Sequence, residues 1–79
     1  MDWRRLQVFK SIAIFKSFTE ASKELKKSQS TLSRDIIYLE KNIGYKVFKR
    51  DIRGIQLTDK GTRLLAIAQE FHGKLESVE

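Results

Sequence analysis

Gln29, Ser30, Ser33 and Arg34 stand within six residues of one another at the start of a segment with helical periodicity. A glutamine amide can pair bidentately with adenine, an arginine with guanine or a phosphate, and small serines let the backbone come close. These groups suit reading a surface rather than breaking bonds. No cysteine and a single histidine are present, so no disulfide framework, zinc ribbon or histidine metal cluster can be assembled. No Ser/His/Asp or Cys/His grouping emerges, and the carboxylates show no pairing that marks acid-base chemistry. The same polar residues also fit a plainly solvated helix face, and the pattern alone leaves that alternative open.

The charge balance points to a partner. Sixteen Lys and Arg oppose ten Asp and Glu, a formal charge of +6 on 79 residues. Residues 1–27 and 28–63 each carry +4, whereas residues 64–79 carry −2. Nucleic acid fits this asymmetry through counterion release, and an anionic membrane surface fits it less well. A chain of this length is one domain, and a deep catalytic cavity would compete with the core for apolar residues, so an enzyme is not expected. No apolar run approaches the roughly 18 to 20 residues of a membrane span, and the start lacks a signal peptide's apolar stretch. The expected compartment is the cytoplasm.

Four helices and a hairpin must position the polar cluster. Trp3, Leu6, Val8, Phe9, Ile12 and Ala13 predict a first helix between Asp2 and Lys16. Ser17-Phe18-Thr19-Glu20 has the form of a capping box and opens a short second helix, with Phe18, Ala21 and Leu25 on one stripe. Ser28 caps a third helix from Gln29 to about Ile43, where Leu32, Ile36, Leu39 and Ile43 form the inner face and Gly44 ends it. Ser30, Ser33, Arg34, Ile37 and Lys41 point away from that face. Two short helices joined by a tight turn, the second with an open polar N-terminal half, describe a helix-turn-helix.

Val47-Phe48-Lys49-Arg50 and Ile55-Gln56-Leu57 read as a small hairpin around Asp51-Ile52-Arg53-Gly54, with Arg53 near its tip. There Arg53 could enter a minor groove or remain solvated. Lys49, Arg50, Lys46, Lys23, Lys26 and Lys27 are candidate phosphate contacts rather than base readers. Thr58 can cap a last helix from Asp59 to about Ser77, by one bond, because Gly61 stands where a capping-box acid would be. Along it Gly61, Leu64, Ala68, Phe71, Leu75 and Val78 recur at spacings of three and four. A seam of this kind in an acidic segment is expected to pair with another copy of the chain, the dimerising side chains being Leu64, Ala68, Phe71 and Leu75. Folding back on the chain's own core is the other reading of the stripe.

An ordered string runs through the chain: Leu6 and Phe9, Phe18-Thr19-Glu20-Ala21-Ser22 with Leu25, Ser28-Gln29-Ser30-Thr31-Leu32-Ser33-Arg34, Ile36, Leu39-Glu40, Gly44, Val47-Phe48-Lys49-Arg50, Gly54, Leu57-Thr58 and Gly61. In it the chain resembles the N-terminal DNA-binding domain of LysR-type transcriptional regulators, over nearly all of residues 2–70. The resemblance implies a mostly α winged helix-turn-helix over residues 1–57, with a three-helix core and a β-hairpin wing, followed by a linker and dimerisation helix over residues 58–79. It implies sequence-specific binding of double-stranded DNA by a homodimer, with Gln29, Ser30 and Ser33 in the major groove and Thr31 counted with them. Arg34 would contact phosphate or base, and Arg53 would be the wing residue. No cofactor is implied, and without the family's large effector domain no inducer site is expected in these residues. Asp35 replaces a polar or basic residue of the family and would either repel phosphate or orient Arg34. Ile14, Phe15 and Ile37 are apolar where the family is polar, which suggests an extra contact surface or scattered exposure. A module that pairs with longer regulators through its last helix, and sequence-independent architectural binding, are the alternatives to sequence-specific binding.

Overall fold

In the computed structural model, residues 2–52 and 54–78 are described, with side chains through Glu70. Helix α1 (Trp3–Phe15) starts at Asp2, whose Oδ1 accepts the Arg4 N–H at 2.9 Å. Its buried residues are Leu6, Val8, Phe9, Ile12 and Ala13. Helix α2 (Phe18–Leu25) begins at Ser17, whose hydroxyl accepts the Glu20 N–H at 3.1 Å. The Glu20 carboxylate lies 3.8 Å from Lys23 Nζ, so the expected capping box is represented by its serine half.

Lys26 closes α2 in the left-handed region at φ 56°, and both its N–H and that of Lys27 donate to the Ser22 carbonyl. Backbone hydrogen bonds therefore fold the turn, in keeping with a partly exposed Lys27 at its end. Helix α3 (Gln29–Ile43) starts at Ser28, which accepts the Thr31 N–H at 3.2 Å, and ends at Gly44 with φ 85°. Strands β1 (Phe48–Asp51) and β2 (Gly54–Leu57) pair antiparallel, from Phe48 opposite Leu57 to Asp51 opposite Gly54. Asp51 and Gly54, expected in the turn, are thus paired strand residues. Helix α4 (Asp59–Val78) completes the chain.

Leu6, Phe9, Ile12, Ala21, Leu32, Ile36, Leu39, Val47, Leu64 and Ala68 belong to one core, with Phe18, Leu25, Phe48 and Leu57 packed against it. The core draws on every helix. Leu64 and Ala68, expected on an intermolecular seam, are only 4% and 1% exposed within the single chain. A side chain already removed from water has no apolar surface left to bury against a second copy, so this part of the stripe serves the chain's own core. The side chains of Phe71 and Leu75 lie outside those described.

Asp35 also departs from the expectation that it repels phosphate or orients Arg34. It faces inward at 9% exposure, and its Oδ1 lies 3.5 Å from Arg5 Nε of α1. Arg5 also donates to Asp2 Oδ2 at 2.9 Å, and its guanidinium carbon sits 3.8 Å from the centroid of the Tyr38 ring. Asp35 therefore engages a cation of α1. Arg5 Nε and Asp35 Oδ2 are nonetheless buried without hydrogen-bond partners, so the contact is an ion pair of imperfect geometry.

The hairpin is anchored by a junction around Val47. The Val47 N–H donates to Glu40 Oε2 of α3 at 2.8 Å, and its carbonyl accepts the Thr58 N–H at 3.0 Å. Thr58 hydroxyl donates to the Lys46 carbonyl at 2.7 Å and accepts the Gly61 N–H at 2.9 Å, which supplies the single cap expected for α4. A Cβ at Gly61 would overlap the Val47 carbonyl oxygen, which is backbone and cannot swing aside. Gly61 is required by this close approach.

Gly61→Ala is expected to lower unfolding stability by about 2–3 kcal/mol through overpacking, measured by urea titration. Arg5→Ala should cost about 3 kcal/mol in the same assay, because it leaves the Asp35 carboxylate buried without a counter-charge. Replacing both partners, Arg5→Met with Asp35→Leu, is expected to recover most of that loss.

Candidate nucleic-acid interface

Helix α3 is divided lengthwise. Leu32, Asp35, Ile36 and Leu39 are buried, whereas Gln29, Ser30, Arg34, Ile37 and Lys41 are exposed. The division follows from 3.6 residues per turn acting on alternating apolar and polar positions. Ser28 organises the first turn: its hydroxyl lies 3.2 Å from Ser30 Oγ and 2.8 Å from Thr31 Oγ1. Thr31 is partly buried with its hydroxyl on this cap, so it has less free hydrogen-bonding capacity than its neighbours. Gln29 Nε2 reaches out of the helix to Thr19 Oγ1 of α2, at 3.2 Å.

The first turn of α3, the start of α2 and the hairpin enclose an open groove of about 550 Å³. Gln29, Ser30 and Ser33 line one wall, Arg50, Asp51, Gly54 and Ile55 the opposite one, and Lys16, Ser17, Phe18 and Thr19 the end. The hairpin presents Arg50 to this groove through a packed aromatic support. Phe48 stands 5.3 Å from Phe9 and 6.4 Å from Phe18, measured between ring centroids. Arg50, two positions along the strand and hence on the same face, holds its guanidinium 5.3 Å from the centre of the Phe18 ring. Lys49 is exposed but falls on the other strand face and does not line the groove.

The structure thus brings together Gln29, Ser30, Ser33 and Arg50, with Arg34 exposed on the same helix. Arg53 lies outside the described residues. Among the other cations, Lys46 is 3.6 Å from Glu40 Oε1 and Lys23 faces Glu20, so each has a carboxylate beside it. Sequence reasoning missed the groove-lining role of Thr19 and Phe18, which it used only as part of a cap and a core stripe. A tight turn by itself sets the end of α2 beside the start of α3; that the start of α2 also comes within reach of Gln29 depends on how the two helices cross. Ile37 is exposed and borders a second depression with Ser33, Lys46 and Arg50. Among the described residues no group of His, Cys, Asp or Glu could hold a metal ion, and no helix is long and apolar enough to cross a membrane.

This geometry has relatives. The family model for bacterial regulatory helix-turn-helix proteins of the lysR family matches residues 3–62. The chain is 38% identical over 78 residues to the HTH-type transcriptional activator AllS of Klebsiella pneumoniae, covering 99% of this chain and 29% of that protein. It is 39% identical over 70 residues to the HTH-type transcriptional regulator IlvY of Escherichia coli, covering 89% of this chain and 24% of that one. It therefore spans about a quarter of the length of these curated relatives. Among solved structures, the BenM DNA-binding domain in complex with catB site 1 DNA aligns with a TM-score of 0.91 at 28% identity, over 99% of this chain and 88% of that one. The CbnR DNA-binding domain in complex with DNA aligns with a TM-score of 0.88 at 29% identity, over 99% and 90% of the two chains. With its helix-turn-helix, its hairpin wing and a family match across three-quarters of its residues, the chain belongs to the lysR family of bacterial regulatory helix-turn-helix proteins.

Proposed function

We propose that this chain is the DNA-binding domain of a LysR-type transcriptional regulator and reads a specific double-stranded site. The observation that carries the proposal is the open N-terminal half of α3, with Gln29, Ser30 and Arg34 exposed beside a cationic hairpin. A B-DNA major groove, about 12 Å wide, accepts one helix, and the first two turns of that helix reach base edges. Gln29, Ser30 and Ser33 then face bases, with Thr31 at their margin, and Arg34 meets base or phosphate. Arg50 and Lys49 meet phosphates on either side of the hairpin, and Arg53 enters the neighbouring minor groove. The likeness to two DNA-binding domains solved on DNA supports this reading. So does the formal charge of +6. The chemistry is binding rather than catalysis, and its setting is the cytoplasm.

The domain acts as a homodimer through α4, so that two copies read two half-sites about one helical repeat, roughly 34 Å, apart or a multiple of it. With Leu64 and Ala68 committed to the core, the contact in this reading falls to the distal half of the expected seam, Phe71 and Leu75, with Ile67, 61% exposed, four residues before Phe71. Transcriptional activation or repression, and any response to a ligand, belong to the longer protein of which such domains form a part.

Selection of bound oligonucleotides from a random pool should enrich one sequence. Against it, Gln29→Ala and Ser33→Ala are expected to change base preference, costing about 1–3 kcal/mol at the base each one reads. Lys49→Ala should weaken all duplexes about equally and lower the salt slope by roughly one. Equal loss on selected and scrambled duplexes for all three variants would refute base reading. For the dimer, light scattering of Phe71→Asp combined with Leu75→Asp should give the monomer mass, and an unchanged dimer mass would refute assembly through α4.

A further inference from the structure

We propose that Thr19 is a specificity-determining positioning residue: it acts on DNA through Gln29, by holding the Gln29 amide head group at the proposed reading surface. The inference rests on the DNA-reading function proposed above.

A glutamine side chain has three rotatable bonds, and its amide presents a donor on one side and an acceptor on the other. At the exposed start of a helix such a side chain samples many rotamers, and reversal of the amide exchanges donor for acceptor. Here Gln29 is the first residue of α3, exposed, and packing does not hold its head group. One hydrogen bond does so, from Gln29 Nε2 to Thr19 Oγ1 at 3.2 Å, across ten positions of sequence. The amide nitrogen carries two hydrogens. With one directed at Thr19, the other remains beside Oε1, giving the adjacent donor and acceptor that adenine's N7 and N6 amino group require. Thr19 thus restrains the amide head group without consuming the recognition edge.

Thr19 is itself well placed to act as a fixed post. It lies in the first turn of α2, two residues after the Ser17 cap, and its carbonyl accepts the Ser22 hydroxyl at 2.9 Å. A β-branched side chain in a helix has few χ1 choices, two for threonine, and the contact with Gln29 marks the one occupied here. Gln29 Nε2 occupies it as an acceptor, which leaves the hydroxyl hydrogen free. The two residues share the groove with Ser30 and Ser33, so ordering the amide orders it toward the proposed reading surface.

Thr19→Val keeps the shape and removes the acceptor. Measured on the 79-residue chain with its selected duplex and with a duplex changed at the base Gln29 reads, Thr19→Val should reduce the affinity ratio roughly three- to tenfold, the order expected when one rotamer-rich side chain is released. Thr19→Ser, which retains the hydroxyl, should keep the ratio within about twofold. In a Gln29→Ala background, Thr19→Val should change the ratio no further, and the salt slope should stay the same throughout. A Thr19→Val effect that persists without Gln29 would overturn the proposal, as would a ratio that Thr19→Val leaves unaltered. Equal weakening on both duplexes would make Thr19 a backbone contact and overturn it as well. Failure of the unsubstituted chain to separate selected from scrambled duplexes would be a different result: it would remove the DNA-reading function itself, and this inference with it.

Discussion

The placement of the hairpin beside α3 depends on the backbone of one residue, Val47. Its N–H is satisfied by the Glu40 carboxylate and its carbonyl by the Thr58 N–H, while its side chain is buried in the core. A buried peptide group must find partners for both its donor and its acceptor. Here those partners come from the helix before the hairpin and from the residue that caps the helix after it. The bond from Thr58 closes residues 47–58 into a loop whose ends meet at one place, and the bond to Glu40 ties that place to α3. Gly61 lets α4 begin against that place, because any side chain there would collide with the Val47 carbonyl. Remove this junction and the hairpin, the start of α4 and the middle of α3 lose their common reference.

The proposed reading surface inherits its geometry from that arrangement. Phe48, the first residue beyond the junction to enter a strand, packs on Phe9 and Phe18 and sets the strand face on which Arg50 stands. The same Phe18 opens α2, two residues before the end of the Ser17 cap. One aromatic cluster therefore aligns the cationic wall of the groove with its polar end. Opposite, α3 is held through its buried side. Leu32, Ile36 and Leu39 supply apolar contact, and Asp35 meets Arg5 of α1. The ion pair is not a strong source of stability, since desolvation offsets much of its attraction and two of its polar atoms lack hydrogen bonds. The pair joins α3 to α1 at one defined place, Asp35 against Arg5.

The tail helix shows how one periodic stripe can hold two kinds of position. Gly61, Leu64 and Ala68 follow the spacing expected of an intermolecular seam, yet all three are buried within the chain. Three short helices and a two-stranded hairpin offer little apolar surface, and a domain of this size leaves a large fraction of its chain accessible to water. The first half of α4 makes up part of that deficit by covering α1. The exposed Ile67 stands on the flank of this stripe and remains available to other contacts.

Local chemistry was legible in the sequence because it acts over three or four residues. Ser17 and Ser28 begin helices, Gly44 ends one, and the inner face of α3 falls where its apolar spacing places it. The polar face of Gln29, Ser30 and Arg34 is exposed for the same reason. Other features depended on residues distant in the chain and brought together by folding. Nothing in the order of residues reveals that Asp35 meets Arg5, that Gln29 leans on Thr19, or that Gly61 sits against Val47. Periodicity identified a stripe on α4 but could not say whether this chain or another would cover it, since apolar burial has no direction of its own. The sequence by itself determined which segments form helices and strands and which face of each is apolar. Only the tertiary structure decided which faces meet, because that choice is made by packing and hydrogen-bond satisfaction across the whole core.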